Sequence, residues 1–265
     1  MKFIHVTDPH LVPPDENLWG NNPFERLEAC LQDIAAHHSD AAFCFISGDL
    51  TDRGEVEAYQ GLKERLAAFP LKTVLMLGNH DSREEYFEAF PDAPRDEHGF
   101  AQQVVDYGTR RFVFLDTFSE PFNSAGWLCE HRQAWLRTQL ESAPGEVFIA
   151  MHHPPFDVDI SYMDRIKLEQ HEAFGEILAA HNTVRHLFFG HVHRAVFGSW
   201  RGVAYSALPA LNHQVPLVQE SVGGPYSDEP PMYGVITLKD NQVLMHYDAF
   251  WDRKDLSDPP KPKKS

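Results

Sequence analysis

The chain has 265 residues, of which 43% are hydrophobic and 23% are charged, as is usual for a globular protein. Its 39 acidic and 23 basic residues give a formal net charge of −16. A chain this acidic repels a phosphate backbone, so we expect no nucleic-acid polymer among its partners. The composition argues against a disordered or fibrous protein, and the length fits one large α/β domain or two smaller ones.

Hydropathy and cysteine spacing bear on the compartment. The longest apolar runs, 41–46 and 147–151, are far shorter than the roughly 18 residues of a membrane helix. The chain reaches Asp8 too early for the apolar core of a signal peptide. Its three cysteines are widely spaced, which argues against a disulfide framework or a thiolate zinc site. We therefore expect a cytoplasmic protein with no membrane partner.

The amino-terminal half alternates short β-rich runs with helical patterns. Asn22 is the expected N-cap of the first helix, and Pro23 fits its first turn. Ser82 and Glu85 have the spacing of a capping box. This alternation favours a layered α/β fold. The predicted strands are 2–6, 42–47 and 73–77, and the predicted helices are 23–38, 55–69 and 82–90.

The carboxy-terminal half continues the alternation and then changes character. From residue 195 to residue 250 the pattern indicates strands and turns, and two hairpins are expected, around Tyr107-Gly108 and Asp240-Asn241. The Pro/Gly-rich segment 221–232 is a predicted long loop. The predicted elements are strands 103–105, 111–115, 147–151, 187–189, 235–238 and 243–247, helices 130–140 and 169–181, and a solvated tail at 252–265.

Five of the predicted strands end in side chains that can bind metal ions. Ligands in open α/β sheets bind beyond the carboxyl ends of the strands, so these five groups are expected to converge in space. Each block alone is weak, because Asp-x-His is frequent by chance and Gly-Asp often marks a turn. The five together in this order are far less expected by chance. The blocks are Asp8-Pro9-His10, Gly48-Asp49, Gly78-Asn79-His80-Asp81, His152-His153 and Gly190-His191-Val192-His193.

These blocks resemble the motifs of the calcineurin-like metallophosphoesterases, specifically the bacterial branch of class III cyclic nucleotide phosphodiesterases and glycerophosphodiesterases. The resemblance covers residues 1 to about 216, including the segment His213-Gln214-Val215-Pro216. It implies a four-layer α/β-β/α sandwich of two mixed sheets flanked by helices. Residues 1–216 are then the catalytic core, 217–250 complete the same domain, and 251–265 form a tail.

The resemblance also implies two divalent metal ions. One ion would be held by Asp8, His10, Asp49 and His193, and the other by Asp49, Asn79, His152 and His191. The donor types agree with this expectation, since imidazole and carboxylate suit Mn, Fe, Zn or Co. A shared carboxylate can hold two cations about 3.5 to 4 Å apart.

The expected activity is hydrolysis of small phosphodiesters. Two divalent cations with Asp8, Asp49 and a hydroxide leave a small positive charge, which fits a singly charged diester. A metal-bridging hydroxide would attack phosphorus. The favoured substrates are 3′,5′-cyclic nucleotides such as cyclic AMP. Glycerophosphodiesters and phosphomonoesters are the alternatives, and an inactive metal-binding or interaction protein is a distant one.

Further residues are candidates for contact with the substrate. His80 is expected to stabilise charge on the phosphate or to protonate the leaving oxygen, with Asp52 orienting it. Alternatively, Asp52 belongs only to the turn before the next helix. Asn79 and His213 are candidate substrate-binding residues, although His213 also fits a surface position. Trp19 either stacks on a base or covers apolar surface.

Two features are left open by the sequence. His153 is expected to be structural rather than catalytic. The segment 221–232 is a disordered excursion, a lid over the pocket or an arm that reaches another subunit, which also leaves a homo-oligomer open.

Overall fold

The structure, a computed structural model, describes residues 1–119, 124–217 and 226–253. Strands and helices alternate through the first half of the chain, as the hydrophobic periodicity predicts. The elements of this half are β1 (Lys2–Val6), α1 (Pro23–His37), β2 (Cys44–Ile46), α2 (Val56–Ala67), β3 (Thr73–Leu75), α3 (Arg83–Ala89), β4 (Gln103–Tyr107) and β5 (Arg110–Leu115).

The second half of the chain completes a second sheet, which β4 and β5 begin, and its last two strands then join the first sheet. Its last hairpin pairs with β1 at the start of the chain, with Lys2 opposite Thr237. The elements are α4 (Glu130–Glu141), β6 (Glu146–Met151), α5 (Ser161–Asp164), α6 (His171–Ala179), β7 (Val184–Phe189), β8 (Val196–Trp200), β9 (Val203–Ala207), β10 (Tyr233–Lys239) and β11 (Gln242–Asp248).

The strands form two mixed sheets. The first has five strands in the order β11-β10-β1-β2-β3, and the second has six in the order β4-β5-β6-β7-β9-β8. Neighbours β1, β2 and β3 are parallel, as are β5, β6 and β7. The carboxyl ends of parallel strands meet at one edge of their sheet, so each sheet presents a row of loops there.

The two sheets pack face to face through an aromatic layer. Phe3 of β1 lies 5.1 Å, ring to ring, from Phe112 of β5, and Phe45 of β2 lies 5.6 Å from Phe114. Helices cover the outer faces: Leu27 of α1 packs with Ile4, and Phe174 of α6 belongs to the core behind the second sheet. The expected four-layer sandwich is therefore confirmed, since alternate residues of the strands face alternate layers.

Local predictions differ from the structure in two places. The Asn22 side chain caps α1 as expected, accepting hydrogen bonds from the amides of Phe24 and Glu25. The capping box at Ser82 does not form: the Ser82 hydroxyl donates to the Glu85 carboxylate instead of accepting from the helix backbone. The short helix α5 was not predicted, because four residues are too few to show a period.

The remaining expectations concern the carboxy-terminal segments. Of the predicted loop 221–232, residues 221–225 lie outside the described residues, as do 254–265 of the tail. Within the ranges given above, none of the helices has the length and apolar character needed to cross a membrane.

Candidate metal centre

All seven residues expected to bind metal lie at the carboxyl ends of strands. Asp8 and His10 follow β1, Asp49 follows β2 and Asn79 follows β3 in the first sheet. The second sheet contributes His152 directly after β6, and His191 and His193 after β7. Because the sheets pack face to face, these two sets of loops lie opposite each other across one pocket.

The four donors of the first predicted ion are within reach of one another. The ligand atoms of Asp8, His10, Asp49 and His193 all lie within 4.8 Å of each other. His10 Nε2 is 3.1 Å from His193 Nε2 and 3.5 Å from Asp49 Oδ2. His193 Nε2 is 3.3 Å from Asp8 Oδ1. Two donors bound to one ion at about 2.1 Å lie about 3 to 3.5 Å apart, so these four side chains fit a single cation.

The second set shares Asp49 with the first. His152 Nε2 lies 3.4 Å from Asp49 Oδ2 and 3.3 Å from Asn79 Oδ1. The ring of His191 is 5.1 Å from that of His152. Asp49 Oδ2 therefore faces both His10 and His152, which is the position that a bridging carboxylate requires.

The orientation of each imidazole fits metal binding. In all four rings one nitrogen lies against an oxygen acceptor, which leaves the other nitrogen free to coordinate, as is usual for histidine ligands. His191 Nε2 lies 3.1 Å from the Ile166 carbonyl, so its Nδ1 is the free donor. The other contacts are His10 Nδ1 with Asp52 Oδ1 at 3.1 Å, His152 Nδ1 with the Ser47 carbonyl at 2.8 Å and His193 Nδ1 with the His213 carbonyl at 2.8 Å.

Backbone strain is concentrated at the same residues. Five of the seven predicted ligands have positive φ, between +45° and +68°, a region that non-glycine residues seldom occupy. Gly48 also has positive φ, at +108°, and a Cβ there would lie 2.5 Å from His152 Nδ1. Strain of this kind persists where function requires a particular geometry. The five ligands are Asp8, His10, Asp49, His191 and His193.

The pKa shifts put four of the donors in the ionisation states that cations require, whereas a fifth, His152, must release a proton before it can coordinate. Burial opposes ionisation of Asp8 and Asp49, but the histidines around them hold both pKa values below the usual range. Burial lowers the pKa of His10 well below its ordinary value and that of His191 to about 3, so both rings are neutral donors. Burial also acts to lower the pKa of His152, but the Asp49 carboxylate raises it to about 9.

His80 and Asp52 are close together, but their contact differs from the expected one. His80 Nδ1 donates to the backbone carbonyl of Asp52 at 2.8 Å, whereas the Asp52 carboxylate is 3.8 Å from that nitrogen. The carboxylate is nearer to His10 Nδ1, at 3.1 Å. Asp52 thus orients His80 through its main chain, and its side chain supports a predicted metal ligand.

The other histidines near the pocket separate into two kinds. His213 lines the pocket, with its ring 4.7 Å from those of both His10 and His193, so the surface alternative is wrong. His153 is buried and lies 2.8 Å from Thr117 Oγ1, as expected of a structural residue. It also groups with His152 and His191 closely enough to share an ion, a proximity that the sequence analysis did not anticipate.

Two kinds of residue were missed from the sequence. Tyr162 and Tyr226 line the pocket, although neither belongs to a motif. Asp81 ties the loops together: its carboxylate accepts hydrogen bonds from the amides of Leu50 and Gly78, and burial raises its pKa to about 6. Its place after Asn79 and His80 was the available signal, whereas the tyrosines gave none.

Comparison with known proteins identifies the family. A family model described as calcineurin-like phosphoesterase matches residues 1–195. The chain belongs to this family. The resemblance based on the motif blocks is thereby confirmed, and the chain is a phosphodiesterase of the calcineurin-like phosphoesterase class.

Relatives in this family cover nearly the whole chain. A probable cyclic nucleotide phosphodiesterase of Rhodopseudomonas palustris is 39% identical over 94% of this chain and 93% of its own length. A glycerophosphodiester phosphodiesterase of Enterobacter lignolyticus is 29% identical over 95% of this chain and 94% of its own length. Among solved structures, a dimetal phosphatase from Danio rerio has a TM-score of 0.71 at 14% identity, covering 94% of this chain and 96% of that one, which supports the fold.

Proposed function

We propose that this chain is a dinuclear metal-dependent phosphodiesterase whose substrates are 3′,5′-cyclic nucleotides such as cyclic AMP. The observation that carries the proposal is the position of Asp49, whose Oδ2 lies 3.5 Å from His10 Nε2 and 3.4 Å from His152 Nε2. One carboxylate thus joins two sets of donors. The 39% identity with a probable cyclic nucleotide phosphodiesterase supports the choice of substrate.

The side chains present fit two divalent cations of the Mn, Fe, Zn or Co type. The chemistry of the donors supports this, because four imidazoles with two carboxylates and one amide suit these metals better than magnesium. Bound cations supply Lewis-acid activation of water and neutralise charge on the phosphate oxygens. Asp8, His10 and His193 would hold one ion and Asn79, His152 and His191 the other, with Asp49 shared.

In this proposal His80 acts on the phosphate and not on a metal. The Asp52 carbonyl fixes Nδ1 at 2.8 Å, so Nε2 is left for the pocket that the ring lines. From there it donates a hydrogen bond to a phosphate oxygen or a proton to the leaving oxygen. The ring of His213, 4.7 Å from that of His10, supplies a further contact for the substrate.

Glycerophosphodiesters are a second candidate class. The glycerophosphodiester phosphodiesterase of Enterobacter lignolyticus aligns with 95% of this chain. Phosphomonoesters remain a third, because the same donors also suit a dianionic phosphate. The cytoplasmic location expected from the sequence stays a prediction.

The test is a substrate comparison with measured metal content. Purified protein is loaded with each metal, its metal-to-protein ratio is measured, and kcat/KM is determined for cyclic AMP, glycerophosphoethanolamine and p-nitrophenyl phosphate. We expect two ions per chain and the highest kcat/KM for cyclic AMP. A higher value for glycerophosphoethanolamine would assign the second class. Two tightly bound ions without turnover of any ester would contradict the enzymatic proposal.

A further inference from the structure

Trp19 is held in a backbone conformation that suits its residue type poorly. Leu18 and Asn21 exchange two backbone hydrogen bonds, of 2.9 and 3.1 Å, so Trp19 and Gly20 form the tip of a tight turn. Their φ angles are +54° and +84°, the left-handed pair that normally selects Asn-Gly. The indole at this tip is 62% exposed, so burial does not explain its presence.

Most of the strained residues of the described chain lie at one pocket. Nine non-glycine residues there have positive φ, and five of them are the predicted metal ligands named above. Trp19 is a sixth at the same pocket, because its ring lies 6.3 Å from that of His213. Strain at a solvent-exposed aromatic residue beside a site indicates a function for that side chain.

A continuous row of rings leads from the predicted ligands to this indole. The ring of His213 is 4.7 Å from those of His10 and His193, and the ring of Tyr226 is 4.4 Å from that of His213. The Trp19 ring lies 5.0 Å from that of Tyr226. We call the seven predicted ligands the pocket floor, and Trp19 with Tyr226 the aromatic rim.

The aromatic rim is fixed relative to the floor by a buried arginine. Arg26 is 4% exposed and donates to the Asn212 carbonyl at 2.6 Å and to Asn21 Oδ1 at 2.9 Å. It also pairs with the carboxylate of Asp228, two residues after Tyr226. One guanidinium therefore joins the Trp19 turn, the neighbour of His213 and the segment that carries Tyr226.

A second contact holds Tyr226 in place. Gln214 and Ser227 exchange two backbone hydrogen bonds of 2.9 Å. These bonds connect the residues that follow His213 and Tyr226. They therefore hold the rings of His213 and Tyr226 next to each other. Hydrogen bonds therefore fix the positions of the two rim residues, which are not a chance cluster of exposed aromatic side chains.

We propose that Trp19 and Tyr226 stack against the base of a nucleotide whose phosphate lies over the pocket floor. This inference rests on the proposed function and names the part of the substrate that the enzyme selects. A flat base can stack on aromatic faces without specific hydrogen bonds, whereas glycerol and ethanolamine have no ring to offer. The two rings are tilted by 49°, so a base would stack on the face of one ring and meet the other with its edge. The Asp228 carboxylate is already paired with Arg26, which favours a base over a quaternary ammonium group.

The substitution Trp19→Asn tests the proposal, because Asn suits the first position of such a turn. We expect an unchanged or higher Tm. The ratio of kcat/KM for cyclic AMP to that for glycerophosphoethanolamine is expected to fall about 10-fold, the scale of one lost stacking contact. Trp19→Phe should restore most of this ratio, and Tyr226→Leu should lower it through the other ring.

A binding measurement makes the result independent of turnover. Calorimetric titration compares adenosine 5′-monophosphate with ribose 5-phosphate, which lacks the base. We expect the base to increase affinity about 10-fold in the original chain and much less in Trp19→Asn. If no diester is hydrolysed, the proposed function fails, while this difference still decides whether the base stacks.

Three results would overturn the stacking proposal. Equal losses of kcat/KM for cyclic AMP and glycerophosphoethanolamine would assign the rim a purely structural role. Equal affinity for the two monophosphates in the original chain would show that the base makes no contact. A selective loss with glycerophosphocholine, and none with cyclic AMP, would instead make the rim a site for a quaternary ammonium group.

Discussion

The pocket floor and the aromatic rim are built on opposite principles. Six of the seven floor residues are buried, Asn79 is half-buried, and each imidazole of the floor contacts an oxygen acceptor that leaves one nitrogen for coordination. The rim exposes 62% of Trp19 and 38% of Tyr226 to solvent, and its geometry depends on Arg26, which lies behind it. The floor therefore supplies charge and fixed donors, whereas the rim supplies a surface.

This difference between the floor and the rim indicates that the floor carries the chemistry and the rim the substrate selectivity. Buried polar groups cost free energy unless they are paired, so the floor tolerates few changes. Exposed aromatic residues can change with little effect on the fold. The two regions should accordingly respond to mutation in different observables, metal content and kcat for the floor and substrate preference for the rim.

The largest effect is expected from replacing Asp49, the floor residue that both sets of donors share. Asp49→Ala should abolish activity and lower bound metal more than Asp8→Ala. Asp49 Oδ2 lies 3.5 Å from His10 Nε2 and 3.4 Å from His152 Nε2, whereas Asp8 Oδ1 is farther from both, at 4.0 and 3.9 Å. Metal-to-protein ratios measured on the two purified variants test whether Asp49→Ala loses more metal than Asp8→Ala. Two metal ions retained per chain in the Asp49 variant would exclude the bridging assignment.

A smaller effect is expected at the edge of the floor. His80→Ala should reduce kcat about 10²- to 10³-fold with nearly unchanged metal content, the scale for loss of one transition-state donor. If His80 protonates the leaving oxygen, the loss should shrink for a p-nitrophenyl leaving group. His37→Ala, at a histidine whose side chain is 57% exposed, is the matched control. Metal loss in the His80 variant would instead make His80 part of the metal site.

The third prediction tests whether substrate preference depends on the rim, by removing the Arg26 side chain that anchors it. Arg26→Leu should lower the cyclic AMP to glycerophosphoethanolamine ratio of kcat/KM about 3- to 10-fold, because the rim residues lose their common anchor. Loss of hydrogen bonds at a buried carbonyl should also destabilise the fold by about 2 kcal/mol. Arg65→Leu is a control, since Arg65 pairs with Glu28 on the surface. An unchanged ratio would show that Arg26 acts on stability alone.

The smallest expected effect concerns a histidine outside both regions. Burial lowers the pKa of His186 to about 4, and its Nε2 lies 2.9 Å from Ser206 Oγ. The unfolded chain binds a proton at this residue below about pH 6.5, so stability falls from there toward pH 4, by about 2 kcal/mol at pH 5. In His186→Leu the fall in Tm between pH 7 and pH 5 should be about 4 °C smaller. An equal fall in both proteins would contradict this assignment.

How much the sequence predicts differs between the two regions. The convergence of the floor residues in space was predicted, because each follows an apolar strand in a short motif and parallel strands place their carboxyl ends together. Asp52 was predicted to orient His80, but the sequence cannot tell whether its side chain or its carbonyl makes the closer contact. Tyr226 was not predicted at all, because it belongs to no motif and no regular element.

The sequence by itself determined the layered fold and the candidate donors, because hydrophobic periodicity and strand-end motifs are local signals. Only the tertiary structure decided which nitrogen of each histidine is free and which aromatic residues border the pocket. These depend on contacts between distant segments, such as Trp19 with Tyr226 and Arg26 with Asn212. Such pairings are set by the packing of the two sheets and their loops, which leaves no periodic trace in the chain.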